Sequence, residues 1–438
     1  MSTLCERVFE GPLRGWLAES ARPGAACSDG REGARAPVLR LHRLPRPAWP
    51  IVVGAIAREA AEQGRSVLAL APSPGRLLTE VRTWLGGRPS SYLFPEVTVS
   101  FLDRPPAFDE AVAQRLEAVA ALSSIPAAGG AAEAAGPPEP AVVISSRRAM
   151  MRMTVGCEDL AATTLVLRAG LRADPTALAA RLVELGYTRE PLAEVAGQFA
   201  LRGGILDVFP AASRSPVRAE FFGEEIETVR LYDPRNQRSV MAIPQATVRP
   251  GRELLLGDRR GHAAAARLRE EAALAALRTD VRADWEEDLE RLQAGAAFPG
   301  VELFGAYLDP RRPSLLDHLP EDVLVVDLDP ERQLAAAREL EQETLMLAEA
   351  ESGDGELPRG FAPPMVPVAR LTEVGGRPLV SVAAGEGAGE ADGAVDLGWR
   401  ELEPLVGRPR AVGELPVLAA NQSVVLASEQ GERVAALL

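Results

Sequence analysis

The pair Gly203-Gly204 sits between two short runs of period-two alternation, and that arrangement dictates what the middle of this chain can become. Phe199 and Leu201 alternate with Ala200 and Arg202 before the pair, and Ile205-Leu206-Asp207-Val208-Phe209 runs back after it until Pro210 stops the strand. This is the pattern of a β-hairpin. Its connection needs positive φ, which glycine adopts without steric cost, so Gly203 and Gly204 are expected in the turn, with Asp207 fixing a turn and Pro210 ending the strand. From Val217 to Phe222 the same rule puts Val217, Ala219 and Phe221 on one face and Arg218, Glu220 and Phe222 on the other. The first is a core face; the second carries an aromatic between charges, the composition of a partner-binding hot spot. Arg218 and Phe222 project from that face about 13 Å apart at roughly 3.3 Å per residue, and Arg202 on the neighbouring hairpin can complete the patch. Each has a plainer alternative: Arg202 as a solvated strand end, Arg218 as an ion-pair partner of Glu220, and Phe222 packed under the Glu224-Glu225 turn.

On both sides of this module the pattern is that of a parallel α/β sheet. Ile51 to Gln63 and Arg76 to Leu85 have helical spacing around a buried-strand candidate, Ser66 to Ala71. Phe108 to Leu122 is a further helix, Ile125 to Pro140 an Ala/Gly/Pro-rich loop or linker, and Ala141 to Ser146 a strand. Asp174-Pro175 supplies an N-cap and first-turn proline for a helix to about Leu185. Beyond Val248, His262 to Ala294 and Glu331 to Glu351 read as long helices around the strand Val323 to Asp327. Within the first of these, His262 and the Trp285-Glu286-Glu287-Asp288 cluster are expected to face solvent. Gly353 to Gly360 and Gly385 to Gly393 read as acidic glycine-rich linkers. A strand from Ser423 to Ser428 and a helix from Gly431 then suggest a third domain that is incomplete.

The 438 residues are enough for about three domains, and a net charge of -14 disfavours a generic nucleic-acid surface, whose affinity comes from cations on phosphates. Arginines and carboxylates are balanced within the β-rich block, which suits a protein partner better. Cys5, Cys27 and Cys157 have no paired spacing, so neither a disulfide framework nor a zinc site is indicated, and a cytoplasmic location is expected. No basic start with an apolar run opens the chain, and no stretch approaches the roughly 20 apolar residues of a membrane span.

The run F-x-x-R-G-G-I-L-D-x-F-P, the strand P-x-R-x-E-F-F, the segment E-I-E-x-x-R and the closing D-P-x-x-Q-R-S follow one another between Phe199 and Ser239. Together they resemble the domain shared by the excision-repair protein UvrB and the transcription-repair coupling factors, through which both are recognised by UvrA. Ser314 to Asp322, SLLDHLPED, resembles a T-L-L-D-Y-L-P-E-D segment of the same family, with His318 in place of an aromatic, so His318 is expected to pack. The resemblance implies that Arg202, Arg218 and Phe222 contact UvrA, and that Gly203, Gly204, Asp207 and Pro210 shape the domain. It also implies that the β-rich domain is inserted into one α/β domain.

The chain contains no lysine. A phosphate-binding loop needs a glycine-rich turn and a lysine on the β and γ phosphates, whereas Leu44-Pro45-Arg46-Pro47-Ala48-Trp49-Pro50 stands where UvrB-like proteins carry that loop. Its prolines remove amide donors. Val325 to Pro330 occupies the place of a metal-coordinating acidic box, but reads as a strand end followed by a helix N-cap at Asp329. The segment from Leu93-Phe94-Pro95-Glu96 to the Phe108 helix is also too short for UvrB's DNA-gripping hairpin. The expectation is therefore an α/β fold: a degenerate P-loop, UvrB-like parallel domain (1–160 and 249–385), an inserted β-rich UvrA-interaction domain (161–248) and a partial small α/β domain (386–438). The resemblance is to the N-terminal region of a coupling factor that recruits UvrA to stalled RNA polymerase. No cofactor is expected in this segment; ATP and Mg would belong to motor domains elsewhere, as would contacts with RNA polymerase and DNA, and no membrane partner is expected. The alternative is a UvrB-like ATP-binding helicase fragment.

Overall fold

A computed structural model describes residues 12–20, 37–97, 100–103, 109–123, 139–211, 213, 215–372, 374, 376–383 and 394–397. The chain first lays down β1 (Val38–His42), β2 (Val67–Leu70), β3 (Ser90–Leu93) and β4 (Ala141–Ser145). It then passes through β5 (Leu165–Arg168) into β6 (Thr188–Arg189), β7 (Gln198–Arg202), β8 (Ile205–Val208), β9 (Val217–Phe222), β10 (Glu225–Asp233) and β11 (Arg238–Ala242). After β12 (Gln245–Val248) it returns to β13 (Leu324–Leu328), β14 (Leu379–Val382) and β15 (Val395–Asp396). The large sheet has seven strands in the order β15-β1-β14-β13-β2-β4-β3, and every pairing in it is parallel. The inserted sheet has six, in the order β11-β10-β9-β8-β7-β6, and a two-stranded β5–β12 ladder joins the two ends of the insertion.

Valine and leucine runs form the central strands because both faces are covered, which removes the alternation seen in a half-exposed strand. β2, β4 and β13 are buried at every position. Helices Trp49–Glu62 and Pro74–Leu85 follow β1 and β2, close to the expected bounds. Asp174 caps Pro175–Glu184 by accepting from the Thr176 amide at 2.9 Å. Among the described residues no helix is long and apolar enough to cross a membrane.

Three sequence expectations fail here. The single helix expected from His262 to Ala294 is two helices, Asp258–Glu271 and Thr279–Gln293, broken where the Ala273 amide donates to Arg359 O at 2.8 Å. They cross closely at Gly261, where a Cβ would lie 1.8 Å from Leu292 O. Trp285 does not face solvent: it is buried, meets Phe304 and Phe361 edge-on at 5.6 and 5.7 Å, and donates its indole N–H to Glu356 O at 3.1 Å. Asp288 is buried as well, while His262 is exposed. Gly353 to Gly360 is not a free linker either, because Gly355 O and Arg359 O receive the amides of Arg278 and Ala273. Val395–Asp396 pairs in parallel with β1. The strand and helix expected from Ser423 onward lie outside the described residues, as do most of the two remaining linkers.

His318 packs as expected, and its surroundings hold it neutral. Its Nε2 bonds Val155 O at 2.7 Å, while Ser123 Oγ and Cys157 Sγ lie 3.0 and 3.2 Å from Nδ1. Burial lowers its pKa below the ordinary 6.5, outweighing the Val155 bond and the charges of Asp317 and Glu253. The unfolded chain then takes up this proton at higher pH than the folded one. Its contribution is fully present above pH 6.5 and lost as pH falls toward the folded value. Urea titrations at pH 8 and pH 5 should show His318→Phe losing less stability on acidification than the parent; equal losses would contradict this account.

At the carboxyl edge of the parallel sheet, where such folds bind ligands, the polar groups are paired with one another. Arg46, in the turn after β1, reaches Asp329 Oδ2 at 3.1 Å. Asp329 occupies the N-cap position expected of it, but with left-handed φ of 60° and no capping bond from its side chain. Asp327 is buried; Arg147 takes Oδ2 and Gln333 donates to Oδ1 at 3.1 Å. Burial raises the Asp327 pKa, and Arg147 opposes that shift.

Candidate docking surface on the inserted sheet

Gly203 and Gly204 join β7 and β8, and each is required for a different reason. Gly203 has φ of 57°. Gly204 does not share that conformation, contrary to the expectation that the whole turn needs it. A Cβ there would lie 2.9 Å from Phe221 O, and Phe221 N donates to Gly204 O at 2.7 Å, so this glycine allows β9 to approach. Pro210 follows the end of β8.

The register then sets the face. Asp207 stands opposite Ala200 on β7 and Arg218 on β9, and Arg218 stands opposite Arg230 on β10. One row toward the tip, Arg202, Ile205, Glu220 and Thr228 align. The opposite face is core: Phe199, Leu206, Val208, Val217, Ala219, Ile226 and Val229 are buried in one cluster, with Leu201 and Phe221 packed against it.

Asp207 organises the outer face. Its carboxylate is fully buried and accepts from Arg218 Nε at 2.7 Å and Nη2 at 2.9 Å, a bidentate pair, and from Arg202 Nη2 at 2.5 Å. It therefore lies within a strand and does not fix a turn, which corrects the sequence reading. Arg218 also donates Nη1 to Gln237 O at 3.0 Å and lies 4.9 Å over the Tyr232 ring. The hydrogen bond to Asp207 raises the Arg218 pKa, so the cation is fixed. The alternative pairing with Glu220 does not form, since Glu220 accepts from the Thr228 hydroxyl at 2.9 Å. Burial raises the pKa of Tyr232, whose hydroxyl donates to Ala193 O at 2.7 Å, so the Glu190–Gly197 segment covers this end of the face.

The closing D-P-x-x-Q-R-S segment has a local purpose. Asp233 accepts from the Arg235 amide and the Asn236 side chain, at 2.9 and 3.0 Å, and the Gln237 amide donates to Asp233 O at 2.8 Å. Gln237 takes φ of 61°, and the resulting turn aims its carbonyl at Arg218. Sequence reasoning missed Gln237 and Tyr232. It also missed Asp207's role, although a carboxylate inside the apolar run Ile-Leu-Asp-Val-Phe was a signal that a cation must lie opposite.

Phe222, at the free end of β9, is 77% exposed and does not pack under the Glu224-Glu225 turn. Arg202, Arg218 and Phe222 thus share one face, in a gradient from the covered Asp207–Tyr232 end to the open tip. An exposed ring on the same face as a half-exposed guanidinium, on a rigid sheet, can insert into an apolar pocket while the cation orients against a carboxylate.

Residues 165–254 match the family described as UvrB interaction domain. The chain is 29% identical to the transcription-repair-coupling factor of Bacillus subtilis over 194 residues, 42% of this chain and 16% of that protein. With the Myxococcus xanthus coupling factor it shares 34% over 232 residues, 51% of this chain and 17% of that protein. The UvrABC system protein B of Chlorobaculum tepidum is 31% identical over 184 residues, 39% of this chain and 27% of that protein. The chain thus spans 16 to 27% of the length of these relatives. The β-rich insertion thus matches the UvrB interaction domain family, and the chain that carries it is similar to the transcription-repair-coupling factors.

Proposed function

We propose that this chain is a recruitment module for nucleotide excision repair, docking UvrA through the outer face of its inserted sheet. The observation that carries the reading is the exposed Phe222 beside the Asp207-held arginines, within a UvrB interaction domain. In the full reading UvrA is brought to stalled RNA polymerase in the cytoplasm, with polymerase and DNA engaged by other parts of a longer protein. Surface plasmon resonance with immobilised UvrA tests it. The chain should bind, and Arg235→Ala should change the affinity by less than about twofold as a rim charge. No binding at micromolar concentration would refute the proposal.

The parallel domain is, in this reading, a degenerate P-loop fold that does not hydrolyse nucleotide and needs no cofactor. Support comes from the missing lysine, from Arg46 on Asp329 and from Asp327 held by Arg147 and Gln333. These contacts use the groups that a phosphate and its metal would need. Calorimetric titration with Mg-ATP should find nothing tighter than about millimolar, roughly 4 kcal/mol. Micromolar binding would favour the UvrB-like helicase fragment instead.

A further inference from the structure

Arg202 and Arg218 both touch Asp207, but they do not offer a partner the same thing. Arg218 is 11% exposed at its side chain; Nε and Nη2 are on Asp207, and Nη1 is on Gln237 O. Its guanidinium lies over Tyr232. Every nitrogen of this group already donates once, and only one N–H on each terminal nitrogen is left, on a side chain held largely out of solvent. Arg202 is 42% exposed and gives Asp207 only Nη2, its one side-chain hydrogen bond among the described residues. Its Nε and Nη1 therefore remain available.

Resting on the UvrA-docking reading, we infer that Arg202 is the contact cation and that Arg218 is a positioning residue, whose task is to satisfy Asp207 so that Arg202 need not. A buried carboxylate without a cation is costly. With Arg218 in place, Asp207 holds Arg202 by one nitrogen and leaves its outer edge free for a carboxylate of the partner. With Arg218 gone, Asp207 draws Arg202 inward, and the surface loses its cation without losing the residue. The partner's chemistry follows from the register. Arg202 lies two strands from Glu220, and Phe222 is two residues beyond Glu220 on that strand. The Cα atoms of Arg202 and Phe222 are therefore roughly 12 Å apart at 4.8 Å per strand and 3.3 Å per residue. The matching surface has a carboxylate at that distance from an apolar pocket.

A set of variants separates positioning from contact. Arg202→Ala and Arg218→Met should each weaken binding to UvrA about tenfold. The double variant should bind no more weakly than Arg202→Ala alone, because Arg218 acts only through Arg202. Asp207→Asn placed in the Arg218→Met background should restore affinity to within about threefold of the parent, since the carboxylate that captures Arg202 is gone. Losses that multiply to about a hundredfold, with no recovery from Asp207→Asn, would make Arg218 a contact and overturn the inference. Circular dichroism melts control for folding. A partner-free measurement distinguishes this failure from failure of the docking reading. In the free protein, the Arg202 Nε–H resonance should become protected from exchange in Arg218→Met and relax again with Asp207→Asn. An Arg202 signal indifferent to both changes refutes the capture mechanism, whereas capture together with parental UvrA binding by Arg202→Ala and Phe222→Ala refutes the docking reading.

Discussion

Replacing Phe222 by alanine should weaken UvrA binding by about 30-fold, roughly 2 kcal/mol, without lowering the melting temperature. The separation of the two effects follows from exposure. Phe222 is 77% exposed, outside the domain core, and its neighbour Phe221 supplies the packing on the other face of β9. Removing an exposed ring costs the free domain almost nothing, whereas a ring buried in a partner's pocket loses its whole transfer free energy. Surface plasmon resonance and a thermal melt on the same sample decide the matter. Parental affinity would remove Phe222 from the docking surface, and a large fall in melting temperature would mean that the ring is structural.

Arg115→Met should destabilise the parallel domain by about 3 to 5 kcal/mol, the range seen when one partner of a buried ion pair is removed. Arg115 is fully buried and bonds Glu253 Oε1 at 2.8 Å. It also donates to the carbonyls of Pro95, Ala149, Arg152 and Met153, and its guanidinium lies 3.9 Å over the Phe94 ring. Burial pushes its pKa down, with a further push from the Arg152 charge, and the charge and hydrogen bond of Glu253 oppose that. Methionine fills much of the space but, among the described residues, leaves Glu253 with only Arg152, 3.5 Å away, and strands the carbonyls. Equilibrium urea unfolding gives the loss, and Arg115→Met combined with Glu253→Gln should recover part of it. A loss below about 1 kcal/mol would show that water reaches the cluster.

The elements that local pattern determines were legible in the sequence. β2, β4 and β13 announce themselves as short valine and leucine runs, and the Gly203-Gly204 hairpin follows from alternation on either side of a permissive turn. What escaped depends on residues far apart in the chain. The break after Glu271 lies in alanine-rich sequence with no helix breaker, and its cause is a backbone bond to Arg359. Trp285 sits among acids, and only the fold brings Phe304 and Phe361 to it. On the proposed docking face Arg202, Arg218 and Phe222 could be named from strand periodicity and resemblance. The difference between Arg202 and Arg218 could not, because it depends on which guanidinium edges Asp207 and Gln237 consume.

The short ladder between β5 and β12 has a consequence for how such a domain travels between proteins. Leu165 pairs with Val248 and Arg168 with Gln245, so the chain enters and leaves the insertion through adjacent strands. A host fold therefore meets the whole module as a connection between two neighbouring points, and the long separation along the chain adds only a slowly growing closure entropy. Any surface loop with a matching gap could accept it without rearranging its own core. Portability of this kind would let one docking module be carried by different host proteins without rebuilding either.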